Sequence, residues 1–290
     1  MKTTKPAARQ PRRPANLETK AAAPAVQDTG GNQLPAYLQG KEATVLHGVD
    51  ASDMIMPRIK LLQSISSEVE AYEAAKAGRF WHNVLNEDLG DEFEFVILNF
   101  RKKYLLMAPL GDPRGVLARA EDGVNWKPAN ETFEVKLKGI KEPQKWTTKP
   151  TVRESGLADF GSSIDGDEDS KPAAVLIYEF LIGLRNRPEL GAMVMSLARS
   201  QARKGKDLIT KINFRAAPLQ AMVFNATVIE ETGDEGPYKN YQFGNAGWCT
   251  EDEFTRYEAL AKKFDTYKVA DEEGAANADG AELAGKKTEF

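Results

Sequence analysis

The sequence is poor in the residues that most often carry out chemistry. Its 290 residues include one cysteine, Cys249, and two histidines, His47 and His82. A single cysteine excludes an intramolecular disulfide, and so few nitrogen and sulfur ligands do not make an ordinary zinc site. The sequence also lacks the glycine-rich phosphate-binding loops and the glycine-flanked serine of common enzyme motifs. We therefore expect a protein that is not an enzyme and that needs no cofactor.

Long apolar runs are also missing. No stretch approaches the roughly 18 consecutive apolar residues that would span a bilayer, and the basic N-terminus is not followed by the apolar core of a signal peptide. We expect no membrane association. The reducing cytoplasm is the predicted location, which is the host cytoplasm if a phage encodes the protein.

One acidic loop resembles a metal site but lacks most of the pattern. Asp165, Asp167 and Asp169 stand at alternate positions, as in calcium-binding loops. Ser170 replaces the glycine that such a loop needs for its sharp turn, and Leu176 occupies the position of the bidentate glutamate. We interpret the segment as a solvated surface loop with no metal.

Charge and composition divide the chain into three parts. Residues 1–30 carry six Lys and Arg against two acids, whereas residues 268–290 carry three against six. The first part, 1–53, is rich in Pro, Ala, Thr and Gln and is predicted to be a disordered basic arm. Residues 54–267 have the apolar patterning of a folded domain, and residues 268–290 are predicted to be a disordered acidic tail.

The central part alternates in hydrophobicity as strands do. This pattern predicts a mostly β (α+β) fold with two or three helices. Two helices have capping boxes, Ser67 with Glu70 and Thr250 with Glu253. Strands are predicted in segments 56–65, 79–85, 91–109, 115–120, 132–140, 173–184, 191–198, 219–231 and 238–243.

Positive charge is densest in segment 199–215, which contains a predicted helix at 200–214. A single acid, Asp207, stands among six cations there, which are Arg199, Arg203, Lys204, Lys206, Lys211 and Arg215. On a helix, Lys204, Lys211 and Arg215 fall on one stripe, and Leu208 and Ile212 fall on another. The stripe is either a solvated helix face or a surface that contacts phosphates.

Other cations occur beside aromatic residues. Lysine neutralises phosphates and a flat ring stacks on any base, so these combinations favour sequence-tolerant single-strand binding. Trp146, set among lysines and threonines, is predicted to be exposed. Lys239, Tyr241 and Phe243 share one face of a strand and form either a second platform or part of the core. The remaining candidate DNA-binding residues are Arg101, Lys102, Lys103, Tyr104, Trp126, Lys145 and Lys149.

This layout, together with the stretches "MPRIKLLQ", "ESGLADFGSS" and "SLARSQARKGKDLITKI", resembles the phage-encoded single-stranded DNA-binding proteins of the T7 type. The resemblance implies that residues 54–267 form an OB-like antiparallel β-barrel that binds nucleic acid. It also implies a non-catalytic role in phage DNA replication or recombination, with single-stranded DNA as the ligand. Either a monomer or a homo-oligomer is compatible with it.

The resemblance also implies a role for the acidic tail and its last residue. In that family the tail recruits polymerase and primase-helicase and competes with DNA for the basic groove. Carried over, this role falls on Asp271, Glu272, Glu273, Glu289 and Phe290. The alternative is a phage virion or assembly protein without nucleic-acid binding, and a metal-dependent nuclease is a third possibility.

Overall fold

Most strands of the described residues join in one large sheet. The computed structural model describes residues 56–109, 112–136, 142–163, 170–233 and 236–264. The large sheet contains β1 (Arg58–Leu61), β2 (Phe80–His82), β3 (Glu87–Gly90), β4 (Glu92–Met107), β5 (Val116–Ala120), β8 (Ala174–Leu184), β9 (Ala192–Ala198), β10 (Met222–Gly233) and β11 (Gly236–Trp248), and a small sheet contains β6 (Thr132–Val135) and β7 (Gln144–Thr147). The α-helices of the described part are α1 (Ser67–Ala71), α2 (Val152–Ser155), α3 (Ala202–Asn213) and α4 (Glu251–Phe264), with short 3-10 turns at Pro188–Leu190, Arg199–Gln201 and Leu219–Ala221.

The long strand β4 lies at the centre of the large sheet. The strand order is β11-β10-β4-β8-β9-β1-β2-β3, and β5 pairs with the second half of β4. Neighbouring strands are antiparallel except β1 and β9, which are parallel. A bulge between Ile97 and Asn99 shifts the register of β4 against β8. The sheet curls strongly into a half-barrel, so the predicted mostly β, barrel-like fold with helices is confirmed.

Aromatic rings fill the inside of the curl. Phe80 of β2 meets Phe93 of β4 edge-on, with ring centroids 4.7 Å apart, and Tyr241 of β11 at 5.4 Å. All three rings are buried, and Leu208 of α3 joins the same cluster. Burying an apolar side chain of this size contributes about 1.5–3 kcal/mol. This inner core therefore fixes the curl of the sheet and the position of α3.

A single glutamine side chain connects the edge strand β11 to the chain that follows β1. Gln63 Nε2 donates to the carbonyl oxygen of Lys239, and the Lys239 amide donates to Gln63 Oε1, both at 2.9 Å. The side-chain amide of Gln63 thus pairs with the backbone of β11 as a neighbouring strand residue would.

Helix α4 packs on the opposite face of the sheet, as its apolar stripe predicts. Tyr257 is buried with Val223, and its hydroxyl donates to the carbonyl of Leu184 at 3.2 Å. The predicted capping box at the start of α4 is confirmed. The Thr250 amide donates to Glu253 Oε2 at 2.8 Å, and the Glu253 amide donates to Thr250 Oγ1 at 3.3 Å.

The small sheet and α2 enclose a second apolar cluster beside the end of β4. Leu106 of β4 and Leu117 of β5 contribute from the large sheet, and Val135 and Trp146 contribute from the small one. The capping box of α2, in which Thr151 and Glu154 bond reciprocally, was not predicted from the sequence.

The other predicted capping box is wrong. Ser66, not Ser67, precedes α1, and it makes no side-chain bond to the helix. The hydroxyl of Ser66 instead accepts from the Gln63 amide at 2.9 Å. Helix α1 ends at Ala71 because Tyr72 is already extended. The predicted arm 1–53 and tail 268–290 lie outside the described residues, so these boundaries stay predictions.

Candidate nucleic-acid interface

Helix α3 lies against the inner face of the sheet and approaches β8 closely. Leu208 is fully buried in the inner core, and Ile209 and Ile212 pack against it. Gly205 makes the close approach possible, since a Cβ atom there would lie 2.7 Å from Cδ2 of Tyr178. The position of α3 is therefore set by packing against fixed side chains.

Three of the predicted cations hold α3 against the β10–β11 hairpin. Lys204 Nζ lies 2.6 Å from Glu231 Oε1, and the ammonium group of Lys211 donates to the carbonyl of Phe243. The third, Arg215, contacts an aromatic ring of β11. The stripe predicted for Lys204, Lys211 and Arg215 thus exists, but it faces the sheet and anchors the helix.

The carboxylate of Glu231 accepts three bonds at this junction. Besides Lys204, it accepts from the Tyr238 hydroxyl at 2.9 Å and from Asn240 Nδ2 at 2.6 Å. These bonds, that of Lys204 above all, lower the pKa of Glu231 from 4.5 to about 2. Glu231 therefore stays ionised and links α3 to the hairpin across the neutral pH range.

The remaining cations of the segment point to solvent. Arg199, Arg203 and Lys206 are exposed, and within the described residues none of the three forms an ion pair. Asp207 is exposed on the same helix. We call Arg199, Arg203 and Lys206 the cationic face. Arg199 lies in the 3-10 turn that precedes α3, and Arg203 and Lys206 lie in the first half of the helix.

Arg199 adopts an unusual backbone conformation at the start of this face. Its φ angle is 50°, in the left-handed region that favours glycine. A residue with a Cβ atom costs about 1–2 kcal/mol there. The arginine therefore occupies a position where glycine would be more stable.

Aromatic side chains stand at the other end of α3. Phe214, which follows the helix, is 85% exposed, and Trp248 at the end of β11 is 54% exposed. The guanidinium carbon of Arg215 lies 5.1 Å from the centroid of the Trp248 ring, in a cation–π contact. We call Phe214, Arg215 and Trp248 the aromatic end.

The four candidates in β4 divide between the two faces of the sheet. Lys103 is buried, and its Nζ lies 2.5 Å from Glu179 Oε2, while Arg101 Nε lies 2.5 Å from Glu179 Oε1. The proposed DNA contact of Lys103 is therefore corrected, because its charge is neutralised inside the protein. Lys102 is exposed, and its Nζ lies 5.0 Å from the centroid of the Tyr104 ring.

Two tryptophans predicted to stack on bases are buried. Trp126 Nε1 donates to Ser155 Oγ at 3.0 Å, and Trp146 Nε1 donates to the carbonyl of Ser162 at 3.2 Å. Both rings belong to the second apolar cluster. The predicted exposure of Trp146 is wrong because its strand turns it toward this cluster, while the adjacent lysine points outward.

The last candidates belong to other elements than α3. Lys145 and Lys149 are exposed on the small sheet and just after it. Lys239 pairs with Glu230, with Nζ 2.6 Å from Oε2. Tyr241 is buried in the inner core, so the proposed stacking role of Tyr241 is corrected in favour of the core alternative.

The other predicted features have the following positions. His82 is buried and accepts a bond from the Leu85 amide at 3.1 Å, which is a structural role. Within the described residues no cluster of His, Cys, Asp and Glu could hold a metal ion. No helix there is long and apolar enough to cross a membrane. The tail residues Asp271, Glu272, Glu273, Glu289 and Phe290 lie outside the described residues.

Comparison with known proteins finds one family. The profile described as "Pam3 phage gp34-like protein" matches residues 28–270, which is most of the chain. The chain belongs to the Pam3 phage gp34-like family. No curated protein and no solved structure matches it. The Pam3 phage gp34-like match therefore indicates a phage protein and covers all the described residues.

Sequence reasoning missed both rings of the aromatic end. Phe214 lies about 120° around the helix from Leu208, away from the apolar stripe, and this offset could have identified it as exposed. Trp248 follows a glycine and directly precedes Cys249 and the capping box of α4, so no strand alternation predicts its environment.

Proposed function

We propose that this protein binds single-stranded nucleic acid, without catalysing a reaction, in phage DNA replication or recombination. The observation that carries the proposal is that the cations in and beside α3 form two groups, one in contact with the sheet and one exposed to solvent. Lys204, Lys211 and Arg215 engage the sheet, so the helix is held while the cationic face points to solvent. Membership of a phage family agrees with this setting.

The arrangement suits a nucleic-acid backbone physically. Arginine and lysine side chains on one rigid face neutralise successive phosphates and release their counterions. The sequence suggests about five phosphate contacts, but the cationic face has three exposed cations. With about −0.7 per phosphate for single strands, the slope of log K against log salt should be about −2.1. Affinity should then fall about 18-fold between roughly 50 and 200 mM salt.

The test is a titration of labelled oligo(dT) with the full chain, read by fluorescence anisotropy at several salt concentrations. The variant Arg203→Gln/Lys206→Gln should bind more weakly and show a slope of about −0.7, since one phosphate contact remains. The control variant Lys262→Gln/Lys263→Gln removes two cations from α4, on the opposite face of the sheet, and should leave the slope unchanged.

Two results would overturn the proposal. One is the absence of oligonucleotide binding at low salt. The other is a salt dependence that becomes equally shallow in the α4 variant and in the α3 variant, because cations anywhere on the surface would then be sufficient for binding.

The exposed rings also favour a second candidate, a virion or assembly protein that contacts other proteins. Phe160 and Phe214 are 76% and 85% exposed, and exposed aromatic side chains often mark protein contacts. This candidate predicts large ordered assemblies in sedimentation and no change in oligonucleotide anisotropy.

We also propose that the acidic segment 268–290 contacts replication proteins such as polymerase or primase-helicase. The support is its charge, with six acids against three cations. Removing residues 269–290 should abolish capture of such a partner and tighten binding of oligo(dT). Unchanged capture would contradict this role.

A further inference from the structure

Trp248 differs from the other tryptophans of the chain in its exposure. All four lie in the described part, and Trp81, Trp126 and Trp146 are buried. Tryptophan is highly buried on average, so an indole that is more than half open needs an explanation. The fold does not supply one, because Trp248 belongs to none of the buried clusters.

The contact with Arg215 orients the ring without enclosing it. A guanidinium over an aromatic face is held by electrostatic attraction and stacking, and it is weakly hydrated. Arg215 is itself half-buried and follows an anchored helix. The indole is therefore held in place while 54% of the residue is still in contact with solvent.

The neighbouring charges indicate what kind of molecule the rings would accept. Phe214 directly precedes Arg215 at the end of α3, and the nearest member of the cationic face, Lys206, lies eight residues earlier, or about 12 Å along the helix axis. Flat apolar rings at one end of a helix and exposed cations toward its other end complement an extended ligand that combines flat bases with negative phosphates. An apolar peptide would use the rings but would leave these cations without partners.

We propose that the aromatic end is a base-stacking site, in which Trp248 and Phe214 receive unpaired bases of a single strand and Arg215 positions the indole. This inference rests on the proposed function, since the cationic face must first hold the phosphate backbone. It adds a preference for unpaired bases over duplex, in which the faces of the bases are already stacked on each other.

An abasic oligonucleotide separates stacking from phosphate contacts. The full chain is titrated with oligo(dT) and with an abasic strand of equal length, both read by anisotropy. Wild type should bind oligo(dT) about 10-fold more tightly, since stacking of one base contributes about 1–3 kcal/mol. Trp248→Leu should lower this ratio several-fold, with the remainder due to Phe214, and leave the affinity for the abasic strand unchanged.

Matched variants and a second signal complete the test. Phe214→Ser should lower the ratio, whereas Phe160→Ser, at another exposed ring, should not. Oligo(dT) should quench the indole fluorescence of wild type, and Trp248→Phe should lose this quenching while it still binds. If both strands bind and the variants keep the ratio of wild type, the stacking site is refuted while the cationic face stands. If neither strand binds, the proposed function itself fails.

Discussion

Replacing Gly205, where α3 approaches β8 closely, has two effects of opposite sign on stability. Replacing glycine by alanine inside a helix stabilises it by about 1 kcal/mol. In Gly205→Ala, however, the new Cβ would lie 2.7 Å from Cδ2 and 3.0 Å from Cβ of Tyr178. Carbon atoms prefer about 3.5–4.0 Å, so the helix or the strand must move.

The size of the clash decides the outcome. Tyr178 is buried and its ring stacks with that of Phe100 at 6.1 Å, so the ring has little room to rotate away. Overpacking of this kind costs about 1–3 kcal/mol. After subtracting the gain in helix propensity, we expect Gly205→Ala to lower stability by about 1 kcal/mol, or about 2–4 °C in melting temperature for a domain of this size.

The assay is thermal unfolding followed by circular dichroism, together with the oligo(dT) titration. Thr210→Ala on the exposed side of α3 is the control, because it has the propensity gain without the clash. Gly205→Ala should also weaken oligo(dT) binding, since the cationic face moves with the helix. A Gly205→Ala protein that melts above wild type would refute the reasoning about the close approach.

Two further predictions concern the same helix. The pKa of Glu231 is lowered from 4.5 to about 2, so the stability that its ionised carboxylate contributes is complete above pH 4.5 and is lost as the pH falls toward 2. The melting temperature of Glu231→Gln should therefore fall less than that of wild type between about pH 5 and pH 3. An equal fall would contradict the role of this carboxylate. Arg199→Gly should remove the backbone strain at this left-handed position, so its melting temperature should equal or exceed that of wild type, while its binding to oligo(dT) should be weaker. A variant with a lower melting temperature, or with the affinity of wild type for oligo(dT), would contradict this prediction.

The fold was largely predictable because local patterns and long-range packing agree in it. The alternation of β4 indicated a strand, the apolar run of β8 indicated a central strand, and the capping box at Thr250 set the start of α4. The parallel contact of β1 with β9 was not predictable, since it joins residues more than a hundred positions apart. The bulge in β4 also left no signal in the alternation.

The candidate site was predictable in composition but not in orientation. The segment 199–215 was recognised as basic, yet which cations engage the sheet depends on partners in another hairpin, such as Glu231. Likewise, the sequence alone suggests that Lys103 is a surface cation, because its partner Glu179 is distant in the chain. For Trp146, the lysines beside it in sequence suggested exposure, although alternation in a strand places neighbours on opposite faces.

The bond pair between Gln63 and Lys239 bears on how copies of this chain can crowd together. An edge strand with open amides and carbonyls invites another strand to add to it and begins fibre growth. In β11 the amide and carbonyl of Lys239 are already taken by Gln63, and the carbonyl of Phe243 is taken by Lys211. Copies of this chain that crowd together are therefore hindered at these two positions from pairing edge to edge through β11.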